Sequence, residues 1–241
     1  MLLGKVTDTQ DTTGTVLEEH PVEVTEEQVK EAVLSFTGEY MQVPPMYSAL
    51  KVNGKKLCDL ARAGVTVERQ ARPVQLYSIE IIKMELPRVC MRVRCSKGTY
   101  IRTLCQDIGE KLSCGACMES LLRTKVSEFC VQDALRLSEI EERVQKAAGQ
   151  TPSEQWNAEM FDFIYAVDSV FLQYKKAVIC KEWNKLLYNG NRMKKDMFVS
   201  YQKDWEQQKV RIYDEEGRFI GIYEYSEIHG DYKPVKLFME A

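Results

Sequence analysis

Residues 89–126 read VCMRVRCSKGTYIRTLCQDIGEKLSCGACMESLLRTKV, and the pattern changes twice along them. Val89, Met91, Val93 and Cys95 share one face of a period-two repeat, with Arg92 and Arg94 on the other, which predicts a half-buried strand. Lys97-Gly98 ends it. Ile101, Leu104, Cys105, Ile108 and Leu112 then recur at helical spacing, predicting a helix over about 99–112. At ~100° per residue Arg102 falls on the flank of that apolar stripe, one turn from the helix start. From there a guanidinium reaches a cleft without entering the core. Met118, Leu121 and Leu122 predict a second helix.

Upstream, residues 73–86 predict a strand to pair with 89–95. Met1-Leu2-Leu3-Gly4 reads as the end of a strand, and Thr7-Asp8-Thr9-Gln10-Asp11 with Gly14 as a polar loop. Thr25 with Gln28 fits a capping box for a helix carrying Val29, Ala32, Val33 and Phe36, stopped by Gly38. Val43-Pro44-Pro45 forces an extended loop. Tyr47–Gly54 reads as a strand ending in an Asn-Gly turn, followed by a short helix with Leu57, Leu60 and Ala61 inside. Downstream, Ser138 and Glu141 suggest a capped helix ending near Gly149, and Gly149–Glu159 a surface excursion. Beyond about residue 174 a short helix ends at Asn189-Gly190. Strands then flank a turn at Asp214–Gly217, with Val210, Ile212, Phe219, Ile220 and Ile222 as the apolar positions of a small barrel. The fold class expected is α+β: a mixed, mainly antiparallel sheet with flanking helices over 1–174, then a small β-rich module over 175–241.

At 241 residues and 44% apolar, the chain can bury a core and hold one large domain with a small module. The formal net charge of −3 excludes a global basic field. Locally the balance differs: residues 1–42 hold nine acidic and two basic side chains, residues 88–125 eight basic and three acidic. Such a basic face suits phosphate. Eight cysteines without a signal peptide, set inside amphipathic patterns, read as reduced thiols of a cytoplasmic protein. No apolar run approaches the ~18 residues that span a bilayer.

From spacing alone, Arg102 is equally a surface arginine or the bidentate partner of a carboxylate nucleophile, with Tyr100 lining the pocket. The loop Gln42–Lys51 reads as a rigid proline segment. It also presents Tyr47, Ser48 and Lys51 for stacking and phosphate contact. Thr7-Asp8-Thr9-Gln10-Asp11 fits a capped turn or an RNA-contacting loop, or else a carboxylate site in which spacing singles out neither aspartate. Cys114-Gly115-Ala116-Cys117 lacks the further ligands of a zinc site, and His20 and His229 are isolated.

Four segments in order resemble the bacterial TruB family of tRNA pseudouridine synthases: Leu3–Asp11, Gln42–Lys51 with Ala61-Arg62-Ala63-Gly64, Cys95–Leu104, and Leu121–Val126. Val210–Phe238 is similar to the family's PUA-like RNA-binding module. The resemblance implies a pseudouridine synthase-like fold and a cofactor-free, metal-free isomerisation of uridine 55 in the T-loop of tRNA. The base is flipped into a pocket and attacked by an aspartate. It implies that Arg102 holds that carboxylate and that Tyr100 lines the pocket. Thr7, Asp8, Tyr47, Ser48, Lys51, Arg62 and Lys97 would face RNA. The implied partner is the T-loop and T-stem of tRNA, met by a monomer with no membrane attachment. The family's nucleophile lies in a Gly-Thr-Leu-Asp-Pro type segment ahead of the residue matching Leu3, and no Leu-Asp-Pro occurs in these 241 residues. The expectation is therefore a synthase shortened at its N-terminus and inactive as written. The alternative is a non-catalytic tRNA-binding or RNA-folding protein.

Overall fold

The alternation in residues 72–95 builds the centre of a five-stranded sheet. The computed structural model describes residues 1–149 and 160–238, which fall into two compact units, Met1–Arg123 and Thr124–Ala241. The predicted excursion over 149–159 lies, beyond Gly149, outside the described residues.

In the first unit the elements run β1 (Leu2–Leu3), β2 (Lys5–Thr7), β3 (Val16–Glu19), α1 (Glu26–Leu34), β4 (Gly38–Gln42), β5 (Lys51–Val52), β6 (Lys55–Lys56), α2 (Leu57–Arg62), β7 (Arg72–Glu85), β8 (Arg88–Cys95), α3 (Ile101–Lys111) and β9 (Ala116–Cys117). The sheet order is β4-β7-β8-β1-β9, antiparallel at every pairing. β1 lies inside the sheet, with Leu2 opposite both Arg88 and Cys117. α1 and α3 cover one face. Val29, Val33, Leu104, Cys105 and Ile108 meet Leu3, Leu76, Ile79 and Val89 in one buried cluster. Thr25 caps α1 reciprocally with Gln28 as its sequence implies. Asn53 and Gly54, both at positive φ, turn β5 into β6.

The helix predicted through Met118, Leu121 and Leu122 does not form. Gly115, at φ 67°, turns the chain into β9, and Met118 then exchanges backbone bonds with Gln10 and Thr12. Strand-like pairing takes the amides that a helix would use, and leaves Leu121 and Leu122 exposed.

The second unit holds β10 (Lys125–Val126), β11 (Phe129–Cys130), α4 (Leu137–Ala148), β12 (Lys175–Val178), α5 (Asn184–Tyr188), β13 (Lys209–Tyr213), β14 (Phe219–Ser226) and β15 (Asp231–Leu237). α4 starts one residue before the expected cap. The Arg136 amide donates to Glu139, so that earlier pair supplies the cap. The last four strands form a sheet in order β12-β13-β14-β15, with β12 and β13 parallel. Ile179, Leu187, Met193, Val210, Ile212, Ile220, Tyr223 and Tyr232 fill the core beneath it. All eight cysteines are free thiols; Cys105, Cys114 and Cys117 are buried, and Cys90 is exposed. Among the described residues no helix is long and apolar enough to cross a membrane.

Candidate active site

β8 delivers the chain to a turn in which Gly98 adopts φ 89° and the Thr99 hydroxyl donates to the Ser96 carbonyl. Tyr100 stays extended, at φ −99° and ψ 105°, and α3 begins at the next residue. Two residues into the helix, Arg102 turns toward two loops. Its Nη1 donates to the Thr9 carbonyl at 3.2 Å and to Asp11 Oδ2 at 3.1 Å; its Nη2 donates to the Tyr47 carbonyl at 2.8 Å. The arginine and aspartate side chains are 24% and 15% exposed, which shields the pair from most of the solvent screening a surface bridge suffers.

Arg102 makes no bidentate fork onto Asp11. The guanidinium instead divides between a carboxylate and two backbone carbonyls. Spacing alone does not single out Asp11 within its loop, yet the loop is built around it. Its Oδ1 accepts from the Thr9 hydroxyl (2.9 Å), the Thr13 amide (3.1 Å) and the Thr13 hydroxyl (2.5 Å). The Thr7 hydroxyl donates to the Asp11 carbonyl. Burial pushes the Asp11 carboxyl up. The bonds from Thr13, Thr9 and Arg102 outweigh that and leave it below the usual carboxylate value. Threonines two positions either side of Asp11 are the one sequence signal that could have found it.

The loop is fixed from behind as well. Gln10 sits at φ 65°, a conformation side chains rarely adopt, and its Oε1 accepts from the buried Thr103 hydroxyl of α3 at 2.8 Å. A Cβ on Gly14 would lie 2.2 Å from Thr9 Oγ1 and 2.3 Å from Asp8 Oδ1, so a larger residue there would have to displace two side chains that bond within the loop. Across the site, Gln42 is 1% exposed and bonds both backbone groups of Tyr100.

The structure brings Arg102, Thr9, Asp11 and the Tyr47 carbonyl together, with Thr7 supporting them. Asp8 accepts from the Thr15 amide, as a turn residue, and is exposed. Ser48 is buried, and its hydroxyl has no protein hydrogen-bond partner among the described residues. Lys51 and Lys97 are exposed and form no ion pair among the described residues, whereas Arg62 makes a loose, exposed pair with Asp59 at 3.6 Å. Cys114 and Cys117 have thiol pKa values raised chiefly by burial, so both stay protonated and apolar in character.

Comparison with known proteins places these segments in a family. The profile described as TruB family pseudouridylate synthase (N terminal domain) matches residues 1–101, and that of the tRNA pseudouridylate synthase B C-terminal domain matches 102–172. The chain belongs to the TruB family. A TruB-family relative from Lachnoclostridium phytofermentans, named tRNA pseudouridine synthase B, is 47% identical over 86% of this chain and 67% of its own length. Relatives of the same name from Clostridium acetobutylicum and Clostridium kluyveri are each 38% identical. They cover 94% and 98% of this chain and 73% and 75% of themselves. The fold is similar to that in a crystal structure of a Cbf5-Nop10-Gar1 complex, with TM-score 0.60 and 20% identity over 92% of this chain and 63% of that one. A structure of an H/ACA RNP bound to a substrate RNA containing 2'-deoxyuridine gives TM-score 0.58 at 18% identity over 92% and 64%. The chain thus spans under two thirds of those solved chains, and two thirds to three quarters of the relatives. These likenesses bear out the α+β fold class.

Proposed function

We propose that this TruB-family chain is part of a tRNA pseudouridine synthase whose target is uridine 55 in the T-loop, and that these 241 residues alone bind the RNA without isomerising it. The observation that carries the reading is the Arg102 group. A permanently charged guanidinium, mostly withdrawn from solvent, sits at the first turn of a helix beside Tyr100 and Tyr47. In a synthase that charge holds the attacking carboxylate ionised and aimed at a uridine flipped out of its loop. The glycosidic bond from ribose C1′ to uracil N1 breaks, the uracil turns and C1′ bonds to C5; C5 gives up its proton, N1 takes one up from solvent, and the carboxylate is set free. No cofactor is required.

Asp11 is a poor substitute nucleophile. Its Oδ1 already takes three donors and its Oδ2 takes Arg102, so an attack would have to break bonds that hold the loop. Among the described residues it is the one carboxylate bonded to Arg102, and this favours the second reading for the chain by itself: a tRNA-binding or RNA-folding protein. The exposed cations Lys51, Lys55, Lys56, Arg62 and Lys97 would meet T-loop and T-stem phosphates. The proposal includes a cytoplasmic monomer and a separate PUA-like RNA-binding module over 175–241. Its support is a four-stranded sheet with its own core and Lys176 stacked 4.4 Å from the Tyr213 ring centre.

The test is release of tritium from C5-labelled uridine in a T-loop RNA, run beside a binding titration. Binding without release is expected. Release near the stoichiometry of the RNA would overturn the claim of inactivity, and absence of binding would overturn the RNA-facing reading altogether.

A further inference from the structure

We propose that Gln42 is a positioning residue of this site, setting Tyr100 and Arg102 through an amide clamp on the Tyr100 backbone; the inference rests on the functional reading above. Gln42 ends β4 and is 1% exposed. Its Nε2 donates to the Tyr100 carbonyl at 3.0 Å, and its Oε1 accepts from the Tyr100 amide at 2.8 Å. One primary amide thus satisfies both backbone groups of one residue, in the way a neighbouring strand would. Among side chains that are neutral at pH 7, only the amides of asparagine and glutamine carry a donor and an acceptor at that separation, and asparagine is one methylene short.

The clamped residue is where α3 begins. Tyr100 has no side-chain cap of its own, and its carbonyl also accepts the first helical bond, from the Leu104 amide at 3.1 Å. Gln42 therefore fixes the point from which the first turn of the helix, and Arg102 within it, is launched. It also opens the proline loop. Pro44 is held through its carbonyl by Arg69, and five residues after Gln42 the Tyr47 carbonyl accepts Arg102 Nη2. The loop from Gln42 to Tyr47 is thus bolted at both ends to one helical turn, Gln42 to Tyr100 and Tyr47 to Arg102. Two prolines between the bolts remove most of its slack. The backbones of Tyr47 and Tyr100 are thus tied to the same helical turn by three hydrogen bonds, each with a neutral acceptor.

The test uses the full chain with ¹³C-labelled tyrosine rings, the Tyr100 signal being assigned from Tyr100→Phe, beside binding to a T-loop hairpin RNA. Gln42→Ala should shift the Tyr100 signal and weaken RNA binding about tenfold, as expected for two lost hydrogen bonds to a buried backbone. Gln42→Glu supplies a signature that simple loss of packing would not. Its carboxylate accepts from the Tyr100 amide but repels the carbonyl. Its protonated form donates to that carbonyl and restores both bonds. Burial raises such a carboxyl above its usual value. The Tyr100 signal of this variant should therefore resemble Gln42→Ala at pH 8 and move to the wild-type position by about pH 5.

The titratable and charged groups around this position are Tyr40, which bonds the Gln42 side chain and has Asp107 and Glu110 beside it, Arg72 opposite on β7, and Arg69 on the Pro44 carbonyl. Wild type and Gln42→Ala carry all of them and serve as controls. An unmoved Tyr100 signal in a folded Gln42→Ala, or a Gln42→Glu signal that tracks Gln42→Ala at every pH, would overturn the clamp. If Gln42→Ala does not fold, the pH series on Gln42→Glu decides. Loss of RNA binding by the wild type would refute the functional reading instead, and the Tyr100 signal would still decide the clamp.

Discussion

Arg102 answers to three acceptors on two loops, and a lysine cannot reach them together. Its ammonium would keep the charge but lose the planar fork that spans the Thr9, Asp11 and Tyr47 oxygens. Arg102→Lys should lower stability by about 1–2 kcal/mol in urea unfolding, from the hydrogen bonds it forfeits. Asp11 adds a pH signature. Its carboxyl titrates below the usual value in the folded chain, so its contribution is fully present above the unfolded value of ~3.9 and is lost as pH falls through the folded value. Asp11→Asn should therefore cost roughly 2 kcal/mol at pH 7, less than the ~3–5 of a wholly buried pair. The gap between variant and wild type should close as pH falls below about 4. A gap that stays constant with pH would mean that the ionised pair contributes nothing.

At the scale of elements, α3 and β9 meet at Gly109, where a Cβ would lie 2.1 Å from the Ala116 amide nitrogen and 2.3 Å from the Gly115 carbonyl carbon. Both are backbone atoms that cannot rotate aside. Gly109→Ala should destabilise the first unit by about 3 kcal/mol, the upper end for overpacking, although alanine is the better helix former. Thermal unfolding measures it, and an unchanged midpoint would refute the close approach. Elements with a local signal were legible in the sequence. The alternation of 89–95, the Thr25–Gln28 cap and the Asn53-Gly54 turn each need only neighbours a few residues away. The stretch 118–122 misled because its apolar spacing fits a helix, while the partners that claim its backbone, Gln10 and Thr12, are remote in sequence. The site divides the same way. The place of Arg102 on the flank of its helix was legible from spacing. Asp11 and Gln42 were not, because the residues they bond, Arg102 and Tyr100, lie 91 and 58 positions away.

Across the whole molecule, a net charge of −3 coexists with a basic stretch over 88–125 and with exposed lysines at 51 and 97 that form no ion pair among the described residues. RNA affinity should fall linearly in log–log with salt, at about −0.7 to −0.9 per phosphate neutralised. Lys51→Ala and Lys97→Ala should each flatten that slope by about one contact while weakening every T-loop sequence alike. A flat salt response would exclude this face from RNA. The two units have separate apolar cores, and backbone hydrogen exchange should report two protection levels rather than one. The place of β1 has a consequence for biosynthesis. Leu2 and Leu3 leave the ribosome well before β8 and β9, the two strands between which they lie in the sheet. The first unit cannot close while it is being translated until Cys117 has emerged. Until then its opening segment depends on the slow growth of the chain, and on whatever shields nascent apolar residues, to stay out of wrong pairings.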